Sequence, residues 1–442
     1  MRAHRSPADG RPHPNPSPRA PQAPPHAARR ARGAARRGAH DTGGHGAALT
    51  APRPRPYNAA QWPHDAPHLR HRRTTVDAEV KLAIIGVGQI GKRHLARYQE
   101  VPGARVVAIC DVNETELRRV AEQNAIPHAT TNPADLLAID EIAAVDVCLH
   151  NNLHAPVSIA AMEAGKHVYC EKPLAGSYAD ARAMVDCSRR LGRMLSMQLG
   201  SVFSSATTAA RLLIEEGRLG RPYYAKSSFY RRRGRPFVDG YGSASFVSRR
   251  VAAGGALFDM GVYHIGQILY LLDNPDVLTI DGATHQEIDM YEDRRRASGF
   301  DVEELAVALV RLAGGITFFI EEAWAIHLAG TDGSKLVGTR GGVSLAPFAY
   351  HTTMADMEMD GAFELAAAEK RRLSCLPEAA AFASPQHHWV AALQGRVPLL
   401  PTAEIGLNTM LISEGIYRSQ QMGRSVTASE VAEASVATAL PL

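Results

Sequence analysis

The sequence predicts an α/β protein of two unlike halves. The first is a doubly wound parallel sheet over residues 79–200, the second an α+β domain with a large mixed or antiparallel, open-faced sheet over 201–430. Three observations predict it. Short β-branched runs alternate with amphipathic helical patterns from Val80 to about residue 200. The alternation then stops, and β-like stretches follow one another with few helices between them. A glycine triplet directly follows the first run and opens the first helix.

In order along the chain, 80–85 is a short apolar run ending in glycine, as a buried parallel strand requires. A second strand is expected at 104–111, with a polar amphipathic helix at 114–123. A third clear strand lies at 145–149, followed by helix 155–164, and a fourth at 167–170, followed by helix 178–192. Residues 194–198 close the series. Strand–helix alternation of this kind builds right-handed crossovers and a parallel sheet. Beyond helix 205–216, strands are expected at 223–230, 277–285, 304–311, 315–323, 334–346 and about 350–359. One helix, 257–272, interrupts them, and helical patterns at 386–394 and 403–422 end the fold. Residues 431–442 read as a C-terminal tail.

Gly86-Val-Gly88-Gln89-Ile90-Gly91 fits a dinucleotide fingerprint, the mark of a Rossmann domain. Gly86 permits the tight turn, Gly88 lets backbone N–H groups approach a pyrophosphate, and Gly91 allows close helix–strand packing. The phosphates then lie at the positive end of a helix. Asp111, 20 residues beyond Gly91, ends the second strand, where a carboxylate accepts hydrogen bonds from ribose hydroxyls and repels a 2′-phosphate. Val112 and Asn113 supply no cation for such a phosphate, so NAD is expected rather than NADP.

Composition excludes several classes. Residues 1–75 hold fourteen Arg, three Asp and neither Lys nor Glu, a net of +11; with +4 overall, the remainder carries −7. Nucleic-acid binding argued from the whole-chain charge would rest on that tail alone. Thirteen of the 27 prolines also lie there, so residues 1–78 are expected to be a disordered basic tail. A start codon assigned too far upstream accounts for the compositional break best, and a basic arm is the alternative. No apolar run is long enough to span a bilayer. Five scattered cysteines form no metal motif, so no metal is expected. A cytoplasmic enzyme with no nucleic-acid or membrane partner is the expectation.

The segment from Gly86 to His94 and the run Ala164-Gly-Lys-His-Val-Tyr-Cys-Glu171-Lys172-Pro173-Leu174 resemble the glucose-fructose oxidoreductase/inositol dehydrogenase family, written Gfo/Idh/MocA. The likeness covers about residues 79–430. It implies that Lys172 reaches the nicotinamide and the reacting hydroxyl, that Glu171 shares the cofactor site, and that the bond before Pro173 is cis. The family's T-P-N-x-x-H loop corresponds to Leu149–His154, where Asn151 and His154 match and are carried over as cofactor contacts. Gln198 is carried over as a contact near the nicotinamide. In Gly254–His264 the family has Asp with His four residues later, and here Asp259 is followed by Tyr263 at the fourth position and His264 at the fifth. In an α-helix a fifth residue is turned about 140° from the first, so Tyr263 is expected beside Asp259 and His264 elsewhere.

Alcohol oxidation needs a hydride acceptor and a base for the hydroxyl proton. The expectation is NAD as acceptor, Tyr263 as acid/base, Lys172 lowering its pKa, and Asp259 orienting the pair, with His264 as the other candidate. The resemblance implies a secondary hydroxyl of a sugar, inositol or glycoside-like substrate, and a homodimer or homotetramer through the second sheet. The run Arg231–Arg233, Arg235, and the strand from Trp324 to His327 are candidate substrate contacts. Two other functions stay open: glycoside cleavage through a transient NAD oxidation, and a non-catalytic NAD-binding regulator.

Overall fold

The computed structural model describes residues 79–441, so the expected 1–78 tail lies outside the described residues. The first sheet is six-stranded and parallel, in the order β3-β2-β1-β4-β5-β6. Its strands are β1 Val80–Ile85, β2 Ala104–Cys110, β3 His128–Thr130, β4 Ala144–Val147, β5 His167–Cys170 and β6 Leu195–Met197. Helices α1 Gln89–Gln99, α2 Glu114–Gln123, α3 Pro133–Leu137, α4 Asn151–Glu163 and α5 Tyr178–Leu191 cover both faces. Burial on both faces is why β1 and β4 are almost continuously buried, down to Asp146 inside β4. Side-chain caps fix the helix starts: Asn113 accepts from the Glu116 N–H, and Ser177 from that of Asp180. The sequence reading passes over β3 and α3, which at three and five residues are too short to display a period.

The second sheet has nine strands in the order β14-β13-β12-β11-β7-β10-β9-β8-β15. These are β7 Pro222–Tyr230, β8 Val277–His285, β9 Leu305–Leu312, β10 Ile316–Ala323, β11 Lys335–Gly338, β12 Gly342–Leu345, β13 Phe348–Met354, β14 Met357–Ala362 and β15 Val426–Thr427. Its central pair, β7 and β10, is parallel, while its other strand pairs are antiparallel, so the sheet is mixed. Two expected strands prove to be hairpins. The 334–346 stretch folds at Thr339–Gly341 into β11 and β12, and the 350–359 stretch at Ala355-Asp356 into β13 and β14. Ala355 and Asp356 turn with φ of +50° and +63°, a geometry usually marked by Asn-Gly, so the composition hid it.

The helices on this half are α6 Ser205–Glu215, α7 Arg249–Ala252, α8 Val262–Leu271, α9 Glu292–Ser298, α10 Leu365–Cys375, α11 Pro385–Leu393, α12 Thr402–Met422 and α13 Ala428–Ala434. A π turn, Leu257–Gly261, precedes α8, so the helix expected over 257–272 is not uniform. The chain also returns to the first sheet. Trp389 and Val390 of α11 are buried with Val80, Leu82, Ile84 and Tyr169 in one cluster. The boundary expected at 430 falls inside α13, and beyond it Thr438 bonds to Asp180 and Asn152, and the Leu440 N–H to the Asn152 carbonyl. That stretch is a docked strap, not a free tail. Among the described residues, no helix is long and apolar enough to cross a membrane.

Candidate active site

The glycine turn after β1 has the backbone its sequence demands. Gly86 adopts φ +95°, and a Cβ there would lie 2.3 Å from the Cys148 carbonyl oxygen. A Cβ on Gly91 would lie 1.9 Å from the Gly86 oxygen, whereas one on Gly88 would meet nothing within 4 Å. Helix α1 starts at Gln89 without a side-chain cap, leaving the N–H groups of Gln89, Ile90 and Gly91 to an external acceptor. Asp111 accepts from the Val87 N–H at 2.8 Å and from the Asn113 N–H at 2.9 Å. The open turn, the uncapped helix and the carboxylate fit a dinucleotide.

The second wall comes from the end of β5. The Lys172–Pro173 bond is cis. Lys172 Nζ donates to Asp259 Oδ1 at 3.0 Å and to the Asp259 carbonyl at 2.8 Å, and lies 4.8 Å from the Tyr263 ring centroid. Burial opposes its charge, but Asp259, Tyr263 and Glu171 outweigh it, so its pKa is raised and it is an ammonium. Behind it runs a buried chain of charges. Glu171 Oε2 accepts from the Lys172 N–H at 3.0 Å; its Oε1 is 2.9 Å from His94 Nε2, and His94 Nδ1 is 2.8 Å from Asp146. Burial works against a charged His94, yet Asp146 and Cys148 hold its pKa well above the usual value. His94, Asp146 and Cys148 bring ligand-type atoms within 4.8 Å, but both imidazole nitrogens face carboxylates, the arrangement of an imidazolium.

The third wall is the π turn. Glu303, buried, accepts from the N–H groups of Gly255 and Leu257 and from Tyr417 Oη at 2.6 Å, which anchors the start of the turn. The Val262 N–H reaches back to the Leu257 carbonyl, one residue further than an α-helix allows. Tyr263 lies under Lys172, as the four-residue spacing predicts. His264 has partners of its own: its Nδ1 is 3.0 Å from buried Glu322, and its ring stacks on Phe229 at 4.9 Å. Asp259 Oδ2 accepts from Trp324 Nε1 at 3.0 Å. Burial pushes the Asp259 carboxyl up, but Lys172 and Trp324 bring it below the ordinary value. Burial pushes the Tyr263 phenol up, and Lys172, which acts to lower it, offsets only part of that rise. Burial opposes protonation of His264, but Glu322 raises its pKa.

Several expected contacts are internal ties. His154 is fully buried, with Nδ1 2.8 Å from the Pro173 carbonyl and Nε2 3.1 Å from that of Leu149, so it braces the Lys172 turn. Asn151 donates to the Ala252 carbonyl across the domain boundary at 2.6 Å, and Gln198 accepts from Tyr169 Oη. Arg235 is fully buried between Asp239 and Glu304, and Trp324 is buried, so neither is a free substrate contact. His327 is exposed. Glu322, Asp146 and the role of His94 escape the sequence reading, because their partners stand 58 and 52 residues away.

Residues 80–199 match the family model described as oxidoreductase family, NAD-binding Rossmann fold, and residues 207–344 match the GFO/IDH/MocA C-terminal domain. The chain is 25% identical to the D-glucoside 3-dehydrogenase of Escherichia coli, over 78% of this chain and 97% of that protein. It is also 25% identical to the D-apiose dehydrogenase of Paraburkholderia graminis, over 82% and 93% of the two chains. Among solved structures, a levoglucosan dehydrogenase with NADH and levoglucosan superposes with a TM-score of 0.65 at 19% identity, covering 79% of this chain and 99% of the other.

Proposed function

This chain belongs to the Gfo/Idh/MocA family of oxidoreductases, and we propose that it oxidises a secondary hydroxyl of a sugar, inositol or glycoside-like substrate with NAD. The observation that carries the proposal is the meeting of Lys172, Asp259 and Tyr263 at the junction of the two domains. When bound, NAD supplies the hydride acceptor. Gly86, Gly88, Gln89, Ile90, Gly91 and Asp111 would hold it, and Asp111 favours it over NADP. Glu171, Asn151, His154 and Gln198 keep the Lys172 turn and the adjoining loops in place.

The chain's own chemistry is proton and charge management. Two of the three Lys172 N–H groups are committed to Asp259, which leaves one for the substrate oxygen. The ammonium there stabilises negative charge as the hydroxyl loses its proton. Tyr263 Oη exchanges that proton. Burial keeps the phenol protonated at neutral pH, so alcohol oxidation should climb as pH rises into the alkaline range, while carbonyl reduction should not need that rise.

A second assignment has its own observation. Glu322 holds His264 by Nδ1, and Nε2 has no partner among the described residues, so this pair could also act as a base. Screening sugars, inositols and glycosides for NADH formation tests the reaction, and formation from a free sugar excludes glycoside cleavage without net redox change. Tyr263→Phe should leave NAD binding intact and lower turnover by about 10²–10⁴-fold, the worth of a general acid/base. His264→Asn should cost far less. The reverse result would move the base to His264.

A further inference from the structure

The parallel pairing of β7 with β10 ends beside the π turn. Ala323 stands opposite Tyr230, and the Arg231 N–H donates to the Ala323 carbonyl at 3.0 Å. Arg231 therefore follows directly on the last pair, as does Trp324, whose indole points to Asp259. The residues two positions earlier, Phe229 and Glu322, both contact His264. Phe229 and Glu322 are paired in register and share the face that carries His264, and Arg231 and Trp324 follow where the two strands end. After burial, Lys172 and Trp324, Arg231 is the next group to bear on the Asp259 carboxyl, and it also acts on His264.

Arg231 is positioned without being neutralised. A Cβ on Gly234 would lie 2.5 Å from Arg231 Cδ, so the glycine makes room for the arginine stem. Nη1 donates to the Gly234 carbonyl at 3.1 Å and to Tyr241 Oη, and the guanidinium lies 5.3 Å from the Tyr241 ring centroid. Its neighbours differ. Arg235 is enclosed by Asp239 and Glu304, and Arg233 is 3.8 Å from Asp239. Among the described residues no carboxylate forms an ion pair with Arg231, and its Nε and Nη2 have no partner. Those two atoms form the edge that grips a carboxylate with two parallel hydrogen bonds.

We infer that Arg231 binds a carboxylate on the substrate, so that the carbohydrate is a sugar acid; this rests on the hydride-transfer reading and names its substrate class. A single guanidinium that acts on the Asp259 carboxylate suits a monoanion better than a phosphate dianion. The test titrates the enzyme–NADH complex, read by nicotinamide fluorescence, with glucuronate and galacturonate, with glucose and galactose, and with glucose 6-phosphate. One or both uronates should bind about tenfold or more tighter than the matching hexose, the worth of a charge-assisted pair. Arg231→Gln should erase that preference and leave NADH binding unchanged, and Arg231→Lys should keep part of it. Where turnover is measurable, the loss should fall on KM. The inference is overturned if hexoses or the sugar phosphate bind as well as the uronates, if no uronate binds, or if Arg231→Gln keeps the selectivity. Uronate binding without NADH formation would instead sink the hydride-transfer reading alone.

Discussion

Asp111 uses both carboxylate oxygens before any cofactor is considered, one holding the glycine turn and the other the start of α2. Each oxygen has a second lone pair for a ribose hydroxyl. Asp111→Ala therefore removes ribose contacts and loosens the loop that carries Gly88. NAD binding should weaken by about 1–3 kcal/mol, and the ratio of kcat/KM for NADP to that for NAD should rise. Wild-type kinetics that favour NADP, or an unchanged ratio in the variant, would count against this role. Asp111, Lys172 and Asp259 were legible because each lies at a fixed spacing within a short motif. His94 was visible only as part of a resemblance. Its work depends on Asp146 and Glu171, which the fold alone brings to either side of its ring.

At the scale of elements, parallel strands and capped helices were readable because apolar runs, side-chain caps and glycine stops are local signals. The hairpin turn at Ala355-Asp356 was not, because it lacks the usual Asn-Gly, and the π turn was not, because a long-range contact anchors it. Glu303, far along the chain, fixes the start of the π turn through the Gly255 and Leu257 N–H groups. The docking of the C-terminal strap leaves no signal in the sequence for a related reason, since its anchors are polar and show no period. Thr438 satisfies Asp180 and Asn152, which are only 5% and 3% exposed, and Leu440 satisfies the Asn152 carbonyl. Removing residues 435–442 should uncover these groups and cost roughly 1–3 kcal/mol in urea or thermal unfolding. An unchanged midpoint would show the strap to be dispensable.

For the whole molecule, the two sheets are joined by more than one crossing: α11 returns to the first core, and α12 packs on both α5 and β8. The cleft residues therefore sit on a braced frame. Among the described residues, the second sheet has one buried face and one more open face. Along β9, Ala306, Ala308, Val310 and Leu312 are buried, while Leu305 and Val307 are half-buried and Leu309 is 38% exposed. The same outer face carries Phe319 and the Lys226–Glu321 pair at 3.1 Å. An apolar strip rimmed by charges on a flat sheet is the kind of surface that self-association covers. A two-fold axis would set each Leu309 near its copy, because an isologous contact uses the same patch twice. We therefore expect at least a dimer at micromolar concentration. Leu309→Arg would place like charges across that axis, so it should yield monomers with an unchanged circular dichroism spectrum. Light scattering or sedimentation that finds the wild-type protein monomeric, or the variant equal to it in mass, would leave the open face without this role.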